Sequence, residues 1–506
     1  GFHRLHGVGD SLYNHAMEAY QQSVRIYAPV GSHKDLLPYL VRRLLENGAN
    51  SSFVHRLVDA RCPVETLTQH PVDMLNAFET LNNTSIPLPT DVFPERKNSL
   101  GVNVDIESEA QPFEHEVESF LNKNWTAGPI INGEFFAESM IKENINTESV
   151  TAPYDRRIHV GQVAFATLDH VSAAIEGAEQ AFSAWQSSPK SQRAEKLDTL
   201  ADLLEEHLAE LVAICHQEAG KTIHDSIDEV REAVDFCRYY AKQVDALGEL
   251  AVKGFDGQSR VVTRQGRGVF VCISPWNFPL AIFLGQITAA LVSGNTVVAK
   301  PAEQTSLIAA RAVELMLDAG FPAGTIQLLP GRGAEIGSAL TSHSAIAGVA
   351  FTGSTATAQR INQTLAERDA APVPFIAETG GQNAMIVDST ALPEQVVRDV
   401  IRSAFASAGQ RCSALRVLFV QEDIADRIVA LIQGAMQELS VGKPYLHSTD
   451  VGPVIDQTAK TKLLQHIERM SSSEKKVAQL ALSEEHEHGD FVAPTAFEIG
   501  DTSCLT

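Results

Sequence analysis

Between residues 169 and 246 apolar residues recur every three or four positions, and the spacing predicts helices over 169–186, 190–217 and 226–246. From 269 the grammar changes. Short β-branched, apolar runs predict strands near 269–273, 296–299, 326–329, 347–351 and 384–387. Helical spacing returns between or after them, near 280–292, 305–319, 333–341, 355–366, 393–407 and 423–439. Strands that alternate with helices predict an α/β fold with a mostly parallel sheet covered on both faces. The same alternation stands near the start. "VRIYAPVG", 24–31, reads as a strand, and "KDLLPYLVRRLLEN", 34–47, as a helix with Gly48 as its C-cap. Residues 63–125 lose the regularity, and "NNTSIPLPTDVFPERKNSLG" reads as a linker or covering segment.

One stretch imitates a membrane span. From Gly268 to Ala299 no residue is charged. Two prolines, Trp276 and Asn277 crowd its first third, and Gly294–Asn295 interrupts its end, so it reads as strand, loop, helix, turn, strand. The rest of the composition is that of a globular chain of 506 residues, 44% hydrophobic and 20% charged. A net charge of −23 repels phosphate backbones and anionic lipid, which argues against nucleic acid as a partner. The six cysteines, Cys62, Cys215, Cys237, Cys272, Cys412 and Cys504, have neither CxxC nor zinc-ligand spacing. They read as reduced thiols of a cytoplasmic protein, with no metal site. "SEEHEHGD", 483–490, reads as a solvated charged loop. No signal peptide is visible, and both ends read as cut, as in a fragment of a longer chain.

Five stretches could carry chemistry. In "SAGQRCSALRV", Cys412 sits among small residues beside Arg411, whose charge would favour a thiolate. Cys215, Cys237 and Cys272 fall at core spacing and read as packing thiols. In "FIAETGGQNAMIV", Glu378 ends an apolar strand and could act as a general base. In "GVAFTGSTATAQRI" a strand runs through Thr-Gly-Ser into a helix, where free N–H groups suit a phosphate, although Ser354 is equally a good N-cap. Nearby Gly331, Gly333 and Gly337 are spaced GxGxxxG, one residue longer than the dinucleotide fingerprint. In "TVVAKPAEQTS", Lys300 ends a strand and Glu303 follows, a carboxylate placed to hold ribose hydroxyls and to disfavour a 2′-phosphate. In "SPWNFP", Asn277 is an amide held between prolines, suited to an oxyanion.

In this order "PWNFP", "KPAEQT", "FTGS", "ETGG" and "GQRCSA" resemble the aldehyde dehydrogenase superfamily, over residues 126 to the end. The resemblance implies a Rossmann-like NAD-binding domain over 126–376 and an incomplete α/β catalytic domain over 377–506. It implies that Cys412 attacks an aldehyde, that Asn277 and the Cys412 N–H hold the oxyanion, and that Glu378 activates the hydrolytic water. It assigns NAD to Ile273, Ser274, Pro275, Trp276, Lys300, Glu303, Gly333, Gly337, Phe351, Thr352, Gly353, Ser354, Thr379 and Gly380, with Lys300 and Glu303 at the adenosine ribose and Ser354 at the pyrophosphate.

"RIYAPVGSHKDLLPYLVRRLLENGANSSFV", 25–54, resembles the last strand and helix of the proline dehydrogenase (β/α)8 barrel. The resemblance implies a barrel remnant over 1–62, a proline-carboxylate clamp from Arg42 and Arg43 with Tyr39, and Glu46 near a flavin. The two resemblances joined are those of the bifunctional proline utilization A family. They imply oxidation of glutamate semialdehyde to glutamate, a small-molecule substrate, and channelling of the intermediate. For the complete parent they imply FAD, homo-oligomers, peripheral membrane or quinone contact, and DNA binding only through a further upstream domain. This chain would then neither bind FAD well nor oxidise proline. The family's Glu-x-Phe-Gly-Pro motif and substrate-carboxylate loop would follow Thr506. Two other readings remain: a general aldehyde dehydrogenase with an unrelated extension, and a non-catalytic binding or structural protein of the same fold.

Overall fold

The structure, a computed structural model, describes residues 2–6, 9–48, 53–244 and 248–505. It contains two compact units, Gly1–Pro87 and Leu88–Thr506. The boundary falls inside the stretch 63–125 expected as a linker.

In the first unit, strand Phe2–Leu5 pairs in parallel with Val24–Tyr27 across helix Asp10–Tyr20, and helix His33–Gly48 follows. Among the described residues of this unit no apolar side chain is fully buried, and Leu37, Leu40, Val41, Leu44 and Leu45 of helix His33–Gly48 are exposed. The Arg43 guanidinium lies over the Tyr39 ring, 5.5 Å from its centroid, one turn along the helix. Arg42 instead lines an open groove with Leu37, Pro38, Val41 and Leu45. The side chain of Glu46 lies outside the described residues.

The second unit is built on a parallel sheet. Its strands lie side by side in the order Phe375–Thr379, Ile346–Gly353, Val269–Ile273, Thr296–Lys300 and Ile326–Leu328, and antiparallel Ile130–Ile131 and Glu134–Phe135 extend it. All five residues of Val269–Ile273 and of Thr296–Lys300 are buried. Side chains alternate between the faces, with Phe270 and Cys272 in one apolar cluster and Val269, Val271 and Ile273 in the other. This two-sided burial is why these strands read as continuous apolar runs. A smaller layer follows. Asn383–Val387 pairs in parallel with Leu415–Val420, and helices Pro393–Phe405 and Glu422–Gln437 cover one face around Val387, Val400, Ile428 and Met436.

The uncharged stretch 268–299 is strand, loop, helix Ala281–Val292, turn and strand, and no helix of the described residues is long and apolar enough to cross a membrane. Four expectations need correction. The helix 190–217 is two, Lys190–Glu206 and Leu208–Ala219, because His207 leaves helical geometry (φ −95°, ψ 19°) and its Nδ1 meets Glu210 Oε2 at 2.8 Å. Residues 88–125 are not simply irregular: helix Glu107–Phe120 buries Ala110, Phe113 and Val117. The hairpin Thr147–Ala152/Asp155–Ala164 and helix Gln457–Ser473 were not anticipated. The patch 483–490 is folded rather than loose. Ser483 caps Glu484–His486 with its N–H donated to the His486 ring, which also meets the Val441 carbonyl at 2.9 Å, while Asp490 is buried.

Two predictions follow from this packing. Phe283 is wholly buried in the helix behind the central strands, so Phe283→Ala should cost about 3–5 kcal/mol. It should be read as a lowered urea midpoint at unchanged slope. His216 is fully buried with Nδ1 2.6 Å from the Lys221 carbonyl, and burial pushes its pKa down to about 4, against the opposing pull of that carbonyl. The unfolded ring titrates near 6.5, so between about pH 6.5 and 4 the unfolded chain binds more protons and stability is lost as pH falls. Burial lowers His170 in the same direction. His216→Asn should flatten, without abolishing, the decline of the urea midpoint across that window.

Candidate active site

The strand order reverses at Val269–Ile273. The chain moves outward on one side to Thr296–Lys300 and Ile326–Leu328, then returns to Ile346–Gly353 on the other side. The crevice beyond the C-terminal ends of Val269–Ile273 and Ile346–Gly353 is where open α/β sheets take ligands. Ile273 and Phe351 are register partners there. Gln286, from helix Ala281–Val292, bridges the two strand ends: its Nε2 donates to the Ile273 carbonyl (3.3 Å) and to Thr352 Oγ1 (3.0 Å).

Most of the expected cofactor residues lie at or just after the C-terminal ends of the parallel strands. Ser274 N donates to the Lys300 carbonyl at 3.2 Å, while Ser274 Oγ is buried with no partner. Pro275 and Trp276 are half-buried in the loop that follows. Lys300 is buried, and its Nζ donates to the Pro301 carbonyl at 2.8 Å; burial lowers its pKa, with Glu303 opposing. Glu303 Oε1 accepts the Gly333 N–H at 2.5 Å, and a Cβ on Gly337 would touch the Lys300 stem. Gly333–Gly337 forms one π-helical turn. Phe351 is buried, and a Cβ on Gly353 would lie 2.6 Å from its ring, so only glycine fits there. Ser354 caps helix Thr355–Glu367, its Oγ accepting the Thr357 N–H at 3.2 Å.

Cys412 lies on the loop after helix Pro393–Phe405. Ser407 (φ 53°, ψ 34°), Ala408 (φ 53°, ψ 30°) and Gly409 (φ 68°) are all left-handed. Each of the first two costs roughly 1–2 kcal/mol relative to right-handed backbone. The loop is tied on three sides. Asn277 Nδ2 donates to the Gln410 carbonyl (2.9 Å), and Gln410 Oε1 accepts the Ile455 N–H (2.9 Å). Asn383 Nδ2 donates to the carbonyls of Cys412 (2.7 Å) and Ala414 (2.9 Å). The residue itself is exposed. Cys215, Cys237 and Cys272 are buried, and burial pushes all three thiols far up.

One expectation fails here. Arg411 does not offer a free charge to Cys412. Its Nη2 pairs with Asp225 Oδ1 at 2.6 Å, and its Nε donates to Ser407 Oγ at 3.1 Å. Glu378 is exposed at the end of Phe375–Thr379, with Thr352 and Gly353 as register partners of Glu378 and Thr379. Gly380 faces open space, and three residues later Asn383 reaches the Cys412 carbonyl. Glu378 and Cys412 thus stand at the two ends of one short connection, and among the described residues no hydrogen bond joins them. Sequence reading missed Asn383, Gln286 and Asp225. Only Asn383 had a local signal, its place just after Thr-Gly-Gly-Gln.

A family model described as aldehyde dehydrogenase family matches residues 140–503, and one described as proline dehydrogenase matches residues 1–56. The bifunctional protein PutA of Salmonella typhimurium is 44% identical over 98% of this chain and 38% of its own length. A mutant of proline utilization A from Bradyrhizobium japonicum superposes with a TM-score of 0.82 at 47% identity, over 100% of this chain and 48% of that one. The chain therefore spans less than half the length of either protein. A 1-pyrroline-5-carboxylate dehydrogenase from Thermus, solved with bound NAD, superposes with a TM-score of 0.74 at 30% identity, over 79% of this chain and 77% of that one. The aldehyde dehydrogenase match runs unbroken through the parallel sheet, the Asn277 loop and the Cys412 loop, and by that match the chain belongs to the aldehyde dehydrogenase family.

Proposed function

We propose that this chain oxidises L-glutamate γ-semialdehyde, the open form of 1-pyrroline-5-carboxylate, to L-glutamate with NAD. The observation that carries the proposal is the exposed Cys412 on a loop bonded directly to the Asn277 amide. Likeness to a 1-pyrroline-5-carboxylate dehydrogenase supports the substrate. The crevice suits NAD: it offers a glycine cradle at Gly353, an unpartnered buried hydroxyl at Ser274, and a buried Lys300 ammonium beside Glu303. Ile273–Trp276, Phe351–Ser354, Thr379 and Gly380 would line it, and Lys300 and Glu303 would take the adenosine ribose.

The residues divide the reaction between them. The Cys412 thiolate adds to the aldehyde carbon, and the carbonyl oxygen becomes an oxyanion. One Asn277 Nδ2 hydrogen is committed to Gln410, and the second is free to donate to that oxyanion with the Cys412 N–H. Bound in the crevice, NAD would supply the hydride acceptor that lets the Cys412 adduct become a thioester. Glu378 then takes a proton from water, the resulting hydroxide displaces the Cys412 sulfur, and the carboxylic acid leaves.

The division into 1–62, 63–125, 126–376 and 377–506 is part of the same proposal. So is a cytoplasmic setting, supported by six free cysteines. The proline dehydrogenase match supports a second, FAD-dependent activity in a longer protein, with Tyr39, Arg42 and Arg43 at its substrate. The described residues of the first unit form two parallel strands and no enclosing barrel, so no flavin step is assigned to this chain.

The test is NADH formation from NAD and pyrroline-5-carboxylate. Cys412→Ala should lower kcat by at least about 10³-fold. Glu378→Gln should keep the first half-reaction and lose the second, giving a burst of about one NADH per chain and then a slow phase. A full-rate Cys412→Ala variant would remove the proposal. A chain that binds NAD but turns over no aldehyde would favour the binding-protein reading.

A further inference from the structure

We propose that Lys221, Asp225 and Glu229 form a clamp that sets Cys412 against Asn277, and that Arg411 is the part of the Cys412 loop the clamp holds. All four are positioning residues. Asp225 and Glu229 are spaced four apart near the start of helix Ile223–Gln243 and share one face of it, and Lys221 stands just before the Thr222 N-cap of the same helix.

Each end of the stripe grips a different loop. Asp225 is 7% exposed; one oxygen pairs with Arg411, and the other accepts the Ser407 N–H at 3.1 Å. One carboxylate thereby holds both the first left-handed residue of the loop and the residue before Cys412. Glu229 accepts the N–H groups of Leu280 (3.0 Å) and Ala281 (2.8 Å), where helix Ala281–Val292 begins. Its other oxygen lies 3.1 Å from Lys221 Nζ, a charge contact, and Nζ donates to the Asn277 carbonyl at 3.0 Å. The loop that carries Asn277 is therefore held at its middle and at its end. The two loops meet in the bond from Asn277 Nδ2 to the Gln410 carbonyl. Lys221, Asp225, Asn277, Ser407 and Gln410 also line a gap of ≈ 10 Å³, room for about one water.

Stability alone does not account for the arrangement. A buried Lys–Glu pair is commonly no more stabilising than apolar side chains of the same volume. Two left-handed non-glycine residues add cost, and such strain persists where the surroundings over-determine the backbone. What the charges supply is geometry: Asp225 fixes one loop and Glu229 the other to the same helix, and Lys221 joins Glu229 to Asn277.

The proposal rests on the dehydrogenase reading only in its turnover arm. The first arm is alkylation of Cys412 by iodoacetamide in the whole chain, mapped by mass spectrometry. Asp225→Asn and Arg411→Lys should each shift the labelling rate of Cys412 by at least about threefold, because an unlatched loop no longer holds the already exposed thiol in one setting. Cys215, Cys237 and Cys272 should stay unlabelled, which reports an intact core. In the second arm, turnover should fall at least about tenfold in each variant while KM for NAD moves less than about threefold. The double variant should lose no more than the worse single variant, since both break one latch. Unchanged labelling of Cys412 in both variants, or losses that multiply in the double, would overturn the clamp. If Asp225→Asn exposes the buried cysteines, Arg411→Lys decides alone. If the unmodified chain oxidises no aldehyde, the dehydrogenase reading falls and labelling still judges the clamp.

Discussion

The structure around the site depends on the burial of strand Val269–Ile273 on both faces. Every residue of it is buried, and its neighbours are parallel on either side. Two-sided burial forces helices onto both faces and leaves only the strand ends open to a ligand. It also sets the register that brings Ile273 opposite Phe351 and Lys300. The crevice, the glycine at 353 and the Asn277 loop inherit their places from that register.

Helix starts then do the work that strand ends cannot. Glu229 accepts two N–H groups at the start of Ala281–Val292, and Glu218 accepts the N–H groups of Leu307 (2.7 Å) and Ile308 (3.0 Å) at the start of Ser306–Asp318. Carboxylates there satisfy orphan donors and meet the positive end of the helix dipole. Both helices pack on the sheet, so buried acids fix where each one begins. Burial opposes this arrangement and pushes the Glu218 pKa up to about 8, with the two amides pulling it back down. The charged stripe beside the Cys412 loop is the same device turned toward a loop.

The Cys412 loop shows what such a scaffold permits. Ser407 and Ala408 adopt backbone that neither would choose alone. Asp225, Asn277, Ile455 and Asn383 reach it from separate parts of the chain. A segment so held presents one thiol at the surface while three others stay in the core.

Local pattern was enough for much of this. Continuous apolar runs identified four of the five parallel strands of the sheet, near 269–273, 296–299, 326–329 and 347–351, to within about two residues, because strands buried on both faces leave no polar alternation to confuse them; the edge strand Phe375–Thr379 is largely exposed and was not among those runs. Motif chemistry and the family resemblance pointed to Cys412, Asn277, Lys300 and Glu303 as candidates. Elements with one wet face were harder. Helix Gln457–Ser473 buries only Met470, and hairpin Thr147–Ala164 is largely exposed along its first strand. The break at His207 depends on a side-chain contact with Glu210 that composition does not reveal. The amino-acid sequence by itself determined which residues could be nucleophile, amide donor and ribose ligand, because those roles follow from functional groups. Only the tertiary structure decided that Arg411 serves Asp225 instead of Cys412. The two lie 186 residues apart, and a charge acts on whatever packing places beside it.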